Sequence, residues 1–164
     1  MTAEYLNERT QVRLKGVNHV FANALRRSRD MRKIMLDPLD VLRCLLDEPE
    51  IQDALQLTGI EKEAVLDGIA KVEQDVPQGL GALYLLNTMG LLEGFETQQY
   101  WSSVLTDSVA LGIALADSED SFSVTSRHIL AGIIRQGANT GTIVLRNLDL
   151  SRRQLDILMR VPSN

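Results

Sequence analysis

The sequence predicts an all-α protein, and three observations lead to that prediction. Apolar residues recur at spacings of three and four along several segments, which is the spacing of one face of an α-helix. Pro and Gly residues fall at positions that start or end such segments. No stretch of useful length alternates apolar and polar residues as a half-buried strand would. Aliphatic residues must do most of the packing, because aromatic residues make up only 4% of the 164 residues.

The first half of the chain predicts four helices. The first has a face of small and apolar residues: Val17, Val20, Phe21, Ala24 and Ser28. The second runs over about 38–47 and starts at Asp37-Pro38, because Asp can cap a helix and Pro is tolerated in its first turn. Two shorter helices follow near 50–58 and 61–72.

The second half predicts the same four helices in the same order. A long helix over about 102–117 has Leu105, Val109, Gly112, Ile113 and Ala116 on its face. The next begins near Thr125-Ser126 and ends at Gly137, a residue suited to a left-handed C-terminal cap. Helices near 139–147 and 151–159 complete the set.

An internal repeat relates the two halves. At an offset of 88 residues Asp40 aligns with His128, and apolar positions coincide around this pair. Two inserted residues move the offset to 90, where Leu55 aligns with Leu145 and Ile60 with Leu150. Duplicated apolar periodicity implies duplicated structure. We therefore expect one domain over 1–164, with four-helix units at 14–74 and 99–160.

An apolar connecting segment, 75–98, separates the two units. It contains PQGLGALYLLNTMGLLEGF and is too apolar for a free linker. We expect an extra helix or turn around 83–92 that packs against the domain. The alternative is an exposed apolar patch that binds a partner.

Composition and charge favour a soluble, cytoplasmic protein. One cysteine among 164 residues allows no intramolecular disulfide, and the N-terminus lacks the apolar core of a signal peptide. No run of 18 apolar residues predicts a membrane span. The net charge of −5 disfavours general affinity for nucleic acid. The basic stretch 26–33 is interpreted as a solvated helix end, with a local binding patch as the alternative.

Single reactive residues give no catalytic or metal-binding pattern. His19 and His128 lack a second ligand at zinc spacing, and His128 is interpreted as a structural residue at a helix start. Cys44 lies in an apolar run and is expected to be a small buried hydrophobe. Tyr100 and Trp101 either fix the start of the following helix or anchor a partner. We predict no enzyme activity, no cofactor and no metal.

The second copy carries a family resemblance. It reads SRHILAGIIRQG from Ser126 to Gly137 and continues as VLRNLDL from Val144 to Leu150. The first copy, MLDPLDVLRCLLDEPEIQDALQLTGI, is more divergent but has the same layout. Over roughly 14–160 the chain resembles the double-repeat N-terminal domain of Clp-type AAA+ unfoldases. The resemblance implies a pseudo-twofold helical domain that binds adaptors and substrates.

Some members of that family bind phosphorylated arginine through a carboxylate and a nearby threonine. The positions that correspond to the carboxylate hold Leu39 and Arg127, and those that correspond to the threonine hold Leu14 and Ser102. We expect no phosphoarginine binding, because a guanidinium would find no carboxylate partner. The same four positions remain the candidate protein-binding residues.

The resemblance implies a non-catalytic interaction module whose partners are a Clp unfoldase, an adaptor or a client protein. The family domain is normally joined to ATPase modules, but this sequence contains no G-x-x-x-x-G-K-[ST] motif to hold nucleotide phosphates. A stand-alone accessory is therefore expected, or else the front of a longer chain that carries the ATPase modules. The alternative is a regulatory domain of the same fold that senses a small molecule or binds nucleic acid.

Overall fold

The structure is a computed structural model that describes residues 8–31, 33, 35–75 and 101–160. The described residues form nine α-helices: α1 Glu8–Arg13, α2 Asn18–Asp30, α3 Pro38–Leu45, α4 Pro49–Thr58, α5 Lys62–Asp75, α6 Ser103–Ser118, α7 Ser126–Gln136, α8 Thr140–Asn147 and α9 Arg152–Met159. A short 3-10 helix, Lys15–Val17, leads into α2. Within these ranges the only β pairing is one isolated parallel bridge, between Leu36 and Trp101. None of the described helices is long and apolar enough to cross a membrane.

The all-α prediction is confirmed for the described residues, and α2 to α9 correspond to the eight predicted helices. Helix α1 was not predicted. Most of its side chains are exposed and only Arg13 is buried, so it has no apolar periodicity for the sequence to reveal. The predicted helix or turn within 75–98 falls almost wholly on residues 76–100, outside the described residues.

Local sequence signals set the helix boundaries as predicted. A capping box joins Asp37 and Asp40 at the start of α3, where Pro38 occupies the first turn. A second capping box joins Thr125 and His128 at the start of α7. Helix α7 ends at Gly137, whose φ of 76° is left-handed and therefore suits a residue without a Cβ.

A single apolar core spans both halves of the chain. The predicted faces of α2 and α6 are buried in it, apart from the partly buried Ile113. Trp101 lies in the same core and packs on Phe21 with ring centroids 4.8 Å apart. This contact favours the interpretation in which Trp101 fixes the start of the long second-copy helix; Tyr100 lies outside the described residues.

The helices of the two halves pack crosswise. Counted from α2 and from α6, each half has four helices in order. The third helix of the first half, α4, packs on the fourth of the second half, α9; the third helix of the second half, α8, packs on the fourth of the first half, α5. The second helices also cross, since α3 contacts α8 and α7 contacts α4. Each of these contacts has a counterpart in which the two halves exchange places.

Two backbone hydrogen bonds repeat this exchange. The Ser102 N–H donates to the Leu36 carbonyl at 2.9 Å, and the Val124 N–H donates to the Arg13 carbonyl at 3.0 Å. At the offset of 88, Leu36 aligns with Val124, and Arg13 aligns with the residue just before Ser102. Each long helix therefore starts beside the segment that leads into the second helix of the other half.

Candidate interaction surface

The four candidate binding positions lie at these crossed junctions and are largely buried. Leu14 is 0% exposed, Leu39 1% and Arg127 4%. Ser102 is half-buried and caps α6, where its hydroxyl accepts the Leu105 N–H at 3.1 Å. These side chains contribute little to the outer surface, and their contact with a partner stays a prediction.

The crossed hydrogen bonds determine which of these positions are neighbours. Ser102 is bonded to Leu36, three residues before Leu39. Leu14 follows Arg13, whose carbonyl accepts a hydrogen bond from the N–H of Val124, three residues before Arg127. The structure thus brings each threonine-equivalent position beside the helix start of the other half.

Arg127 is a buried cation with few partners. Its Nη2 donates to the carbonyl of Ile157 in α9 at 2.6 Å, while its Nε has no hydrogen-bond partner. It forms no ion pair with any described residue. Burial lowers the pKa of its guanidinium, against a smaller opposing effect of Glu50. Arg127 therefore places a positive charge beneath α9 that is offset only in part, by the more distant Glu50.

His128 has the structural role that the sequence predicts. Its Nδ1 accepts the Thr125 N–H at 2.9 Å, so in the neutral ring Nε2 carries the proton and faces Glu119 at 3.1 Å. Asp40, its equivalent in the first half, accepts the Asp37 N–H at 2.9 Å and pairs with Lys33. In the described part of the chain no three His, Cys, Asp or Glu side chains are grouped to hold a metal ion.

Cys44 has the environment of a packing residue. It is partly buried against the core, and burial raises the pKa of its thiol to about 11. A nucleophilic cysteine needs a lowered pKa, because the thiolate is the reactive form. The environment therefore agrees with the predicted role as a small hydrophobe.

The basic stretch 26–33 is largely neutralised by neighbouring acids. Arg27 donates to Glu73 of α5 at 3.4 Å, and Arg43 donates to the same carboxylate at 3.2 Å. Lys33 pairs with Asp40, and Arg29 pairs with Asp30 at 2.8 Å. These pairs favour the helix-end interpretation of this stretch over a nucleic-acid patch.

A small apolar patch surrounds Arg13 at one crossed junction. Arg13 donates through Nε to the Phe122 carbonyl at 2.8 Å and pairs with Asp117 at 2.7 Å. Its guanidinium carbon lies 5.9 Å from the centroid of the Phe122 ring, within cation–π range. Phe122 and the neighbouring Val12 are 53% and 57% exposed. The Arg13 patch, defined as Val12, Arg13 and Phe122, was missed in the sequence because Phe122 is 109 residues away from Arg13 in the chain.

The described residues line several clefts, three of which bear on binding. One of about 380 Å³ lies along α9, and one of about 400 Å³ lies at the turn between α4 and α5. The third, about 350 Å³, joins both halves and is lined by Asp37, Pro38, Val104, Gly137, Ala138, Asn139, Thr140, Ile143 and Arg146. The volumes fall within the range of small-ligand or peptide sites.

The described side chains therefore provide helical surfaces, clefts and a cation–apolar patch. Such features bind other molecules through shape, apolar contact and charge. No family model matches the chain, and no curated protein matches it.

Proposed function

We propose that the chain is a non-catalytic protein-interaction module of a Clp-type unfoldase–protease system, located in the cytoplasm. It would bind the unfoldase, an adaptor or a client protein and so regulate which proteins are degraded. The observation that carries this proposal is the crosswise packing of two four-helix sets. Two sets of four helices with exchanged partners support the pseudo-twofold helical domain that the resemblance implies.

The side chains support binding rather than chemistry. The thiol of Cys44 has a raised pKa, and His128 is committed to a capping box. The Arg13 patch combines partly exposed apolar side chains with a fixed guanidinium, a combination common at protein interfaces. It also lies next to Leu14, one of the candidate positions. We therefore propose the Arg13 patch as the first contact surface.

Binding of purified components tests the proposal. The chain would be immobilised and exposed to the Clp unfoldase hexamer and to its adaptors, with binding followed by biolayer interferometry. We expect saturable binding of at least one component. We also expect excess free chain to slow adaptor-dependent degradation of a model substrate by the assembled protease. No binding to any of these components would contradict the proposal.

Paired variants locate the surface. Val12→Ser combined with Phe122→Ser should weaken binding about tenfold or more, because both remove exposed apolar area. The matched control is Leu57→Ser with Leu111→Ser, two other exposed apolar residues, on α4 and α6. Equal effects of the two pairs would show that the Arg13 patch is not the contact surface.

A regulator that senses a small molecule is the second candidate function. The cleft between the halves favours it, since Asp37 lies on one side and Arg146 on the other. The Thr140 hydroxyl is buried without a hydrogen-bond partner beside this cleft. A ligand screen by thermal shift would support this function if a hit lost its effect in Arg146→Gln but kept it in Arg135→Gln.

A further inference from the structure

Helix α9 carries an unbalanced group of arginines. Arg152, Arg153 and Arg160 are exposed, and none forms an ion pair with a described residue. Six other described cations are paired with carboxylates: Arg13, Arg27, Arg29, Arg43, Lys33 and Lys62. Among the described residues, isolated exposed cations such as Arg26 and Arg135 are also unpaired, whereas the three α9 arginines line one cleft together. The α9 cations therefore have their charge available for a partner.

The position of two of these cations is electrostatically unfavourable in the isolated protein. Arg152 and Arg153 lie in the first turn of α9, which contains no acidic residue. The N-terminal end of a helix carries partial positive charge, so cations are disfavoured there and anions are favoured. An anionic ligand at this turn would relieve the repulsion.

The arginines surround a cleft with a further cation beneath it. The cleft of about 380 Å³ is lined by Arg152, Arg153, Asp156, Ile157 and Arg160. The carbonyl of Ile157 accepts the hydrogen bond from buried Arg127. Asp156 is the one acid in this lining, so the α9 cleft, defined by these five residues, has a net positive charge.

The shape of this charge fits a short extended anion. Arg152 and Arg160 are eight residues apart, which corresponds to about 12 Å along a helix. A single phosphate would span only part of that length, whereas a peptide with several carboxylates would follow it. Glu50 of the adjacent α4 acts on Arg127, and the whole chain has a net charge of −5. A nucleic acid, with its continuous phosphate charge, would extend beyond the cleft and be repelled by the net negative charge of the chain.

We propose that the α9 cleft binds a short acidic segment of a partner protein. This inference rests on the proposed function and assigns the chemistry of one partner segment. Arg152 and Arg153 hold its carboxylates at the start of α9, and Arg160 holds one near the end. Arg127 adds positive potential from beneath.

The probe is a fluorescein-labelled octaglutamate peptide, followed by fluorescence anisotropy with the full chain. At low salt, about 50 mM, we expect saturable binding that weakens steeply toward about 300 mM, because exposed charges are screened. Arg153→Gln with Arg160→Gln should weaken binding about tenfold, the effect of losing two ion pairs at a charged interface. The matched control, Arg9→Gln with Arg26→Gln, changes the net charge equally at exposed arginines of α1 and α2, helices that do not pack on α9, and should alter affinity less than about twofold.

Three results would overturn the inference. They are no octaglutamate binding at low salt, equal weakening by the two double variants, and tighter binding of a single-stranded oligonucleotide of equal charge. The last would assign the cleft to nucleic acid. If octaglutamate does not bind while a Clp component does, only the proposed binding site at α9 is contradicted. If octaglutamate binds while no Clp component does, the proposed partnership with the unfoldase is contradicted and the site for an acidic segment is supported.

Discussion

At the residue scale, the two halves use one capping position with different side chains, an aspartate and a histidine. Asp40 and His128 occupy equivalent positions, and each accepts the backbone N–H of its N-cap residue. The second carboxylate oxygen of Asp40 faces Lys33, whereas the second ring nitrogen of His128, Nε2, faces Glu119. The sequence indicated both helix starts, because Asp and Thr are good caps. It did not indicate the outer partners, which come from loops whose course depends on tertiary packing.

Asp40 gives a prediction about pH. Its side chain is 0% exposed, and burial raises its pKa from 3.8 despite the attraction of Lys33. The folded chain therefore holds this proton more tightly than the unfolded chain. The protonated Asp40 side chain contributes to the free energy of unfolding in full below pH 3.8, and this contribution is lost as the pH rises through the raised pKa. Each tenfold difference in proton affinity is worth about 1.4 kcal/mol.

The variant Asp40→Asn isolates this contribution, because Asn can still accept the Asp37 N–H but cannot ionise. We expect the free energy of unfolding of the wild type, relative to Asp40→Asn, to fall as the pH rises above 3.8. Urea unfolding over a pH series measures it. Asp53→Asn, at an exposed aspartate on α4, is the control. A relative stability that rises with pH would contradict the assigned direction.

Cys44 gives a prediction about reactivity. With a pKa of about 11 in place of 9.0, the thiolate fraction near neutral pH falls about a hundredfold. We expect iodoacetamide to alkylate the folded chain about a hundredfold more slowly than the chain unfolded in urea, as followed by mass spectrometry. Equal rates in the two states would show that the thiol is accessible and unperturbed.

At the scale of elements, helices α6 and α7 make an unusually close contact. A Cβ on Gly132 would lie 2.0 Å from the Ser108 carbonyl oxygen, and one on Gly112 would lie 2.6 Å from the His128 carbonyl oxygen. Both glycines therefore permit a backbone approach that any other residue would block. The equivalent positions in α2 and α3 hold Ala24 and Cys44, so the first helix pair must pack differently.

Substituting Gly132 by Ala tests the close approach. The added methyl meets backbone rather than a movable side chain, so α6 and α7 must separate. We expect a loss of about 3 kcal/mol in the free energy of unfolding, measured with urea. Gly16→Ala is the matched control, since its Cβ would meet nothing within 4 Å, and its effect should stay within about 0.5 kcal/mol. A small loss for Gly132→Ala would mean that the helices are further apart.

The sequence predicted elements well where periodicity and caps agreed. Helix α7 has both a capping box and a glycine C-cap, and its predicted bounds are those observed. Helix α1 has no apolar face, and it was missed. Of the candidate binding residues, Leu14 and Leu39 were chosen by resemblance, and sequence position alone could not show that both are buried.

At the scale of the whole molecule, the repeat predicted duplicated helices but not how they interlock. Periodicity identifies the face that each helix buries, and it carries no information about which helix covers that face. The structure shows that the third and fourth helices cross between halves, α4 with α9 and α5 with α8. Each set of four helices therefore needs helices of the other half to cover its apolar faces.

The interlocking predicts that the halves do not fold alone. A fragment of residues 99–164 would expose Val144, which is buried where α8 meets α5 and lies against Gly68. So short a chain has little core of its own, and losing the crossed contacts should leave it unfolded. We expect fragments 1–98 and 99–164 each to show weak helical circular dichroism and no cooperative thermal transition. An equimolar mixture should recover helicity, whereas cooperative unfolding of either fragment by itself would mean that its four helices form an independent core.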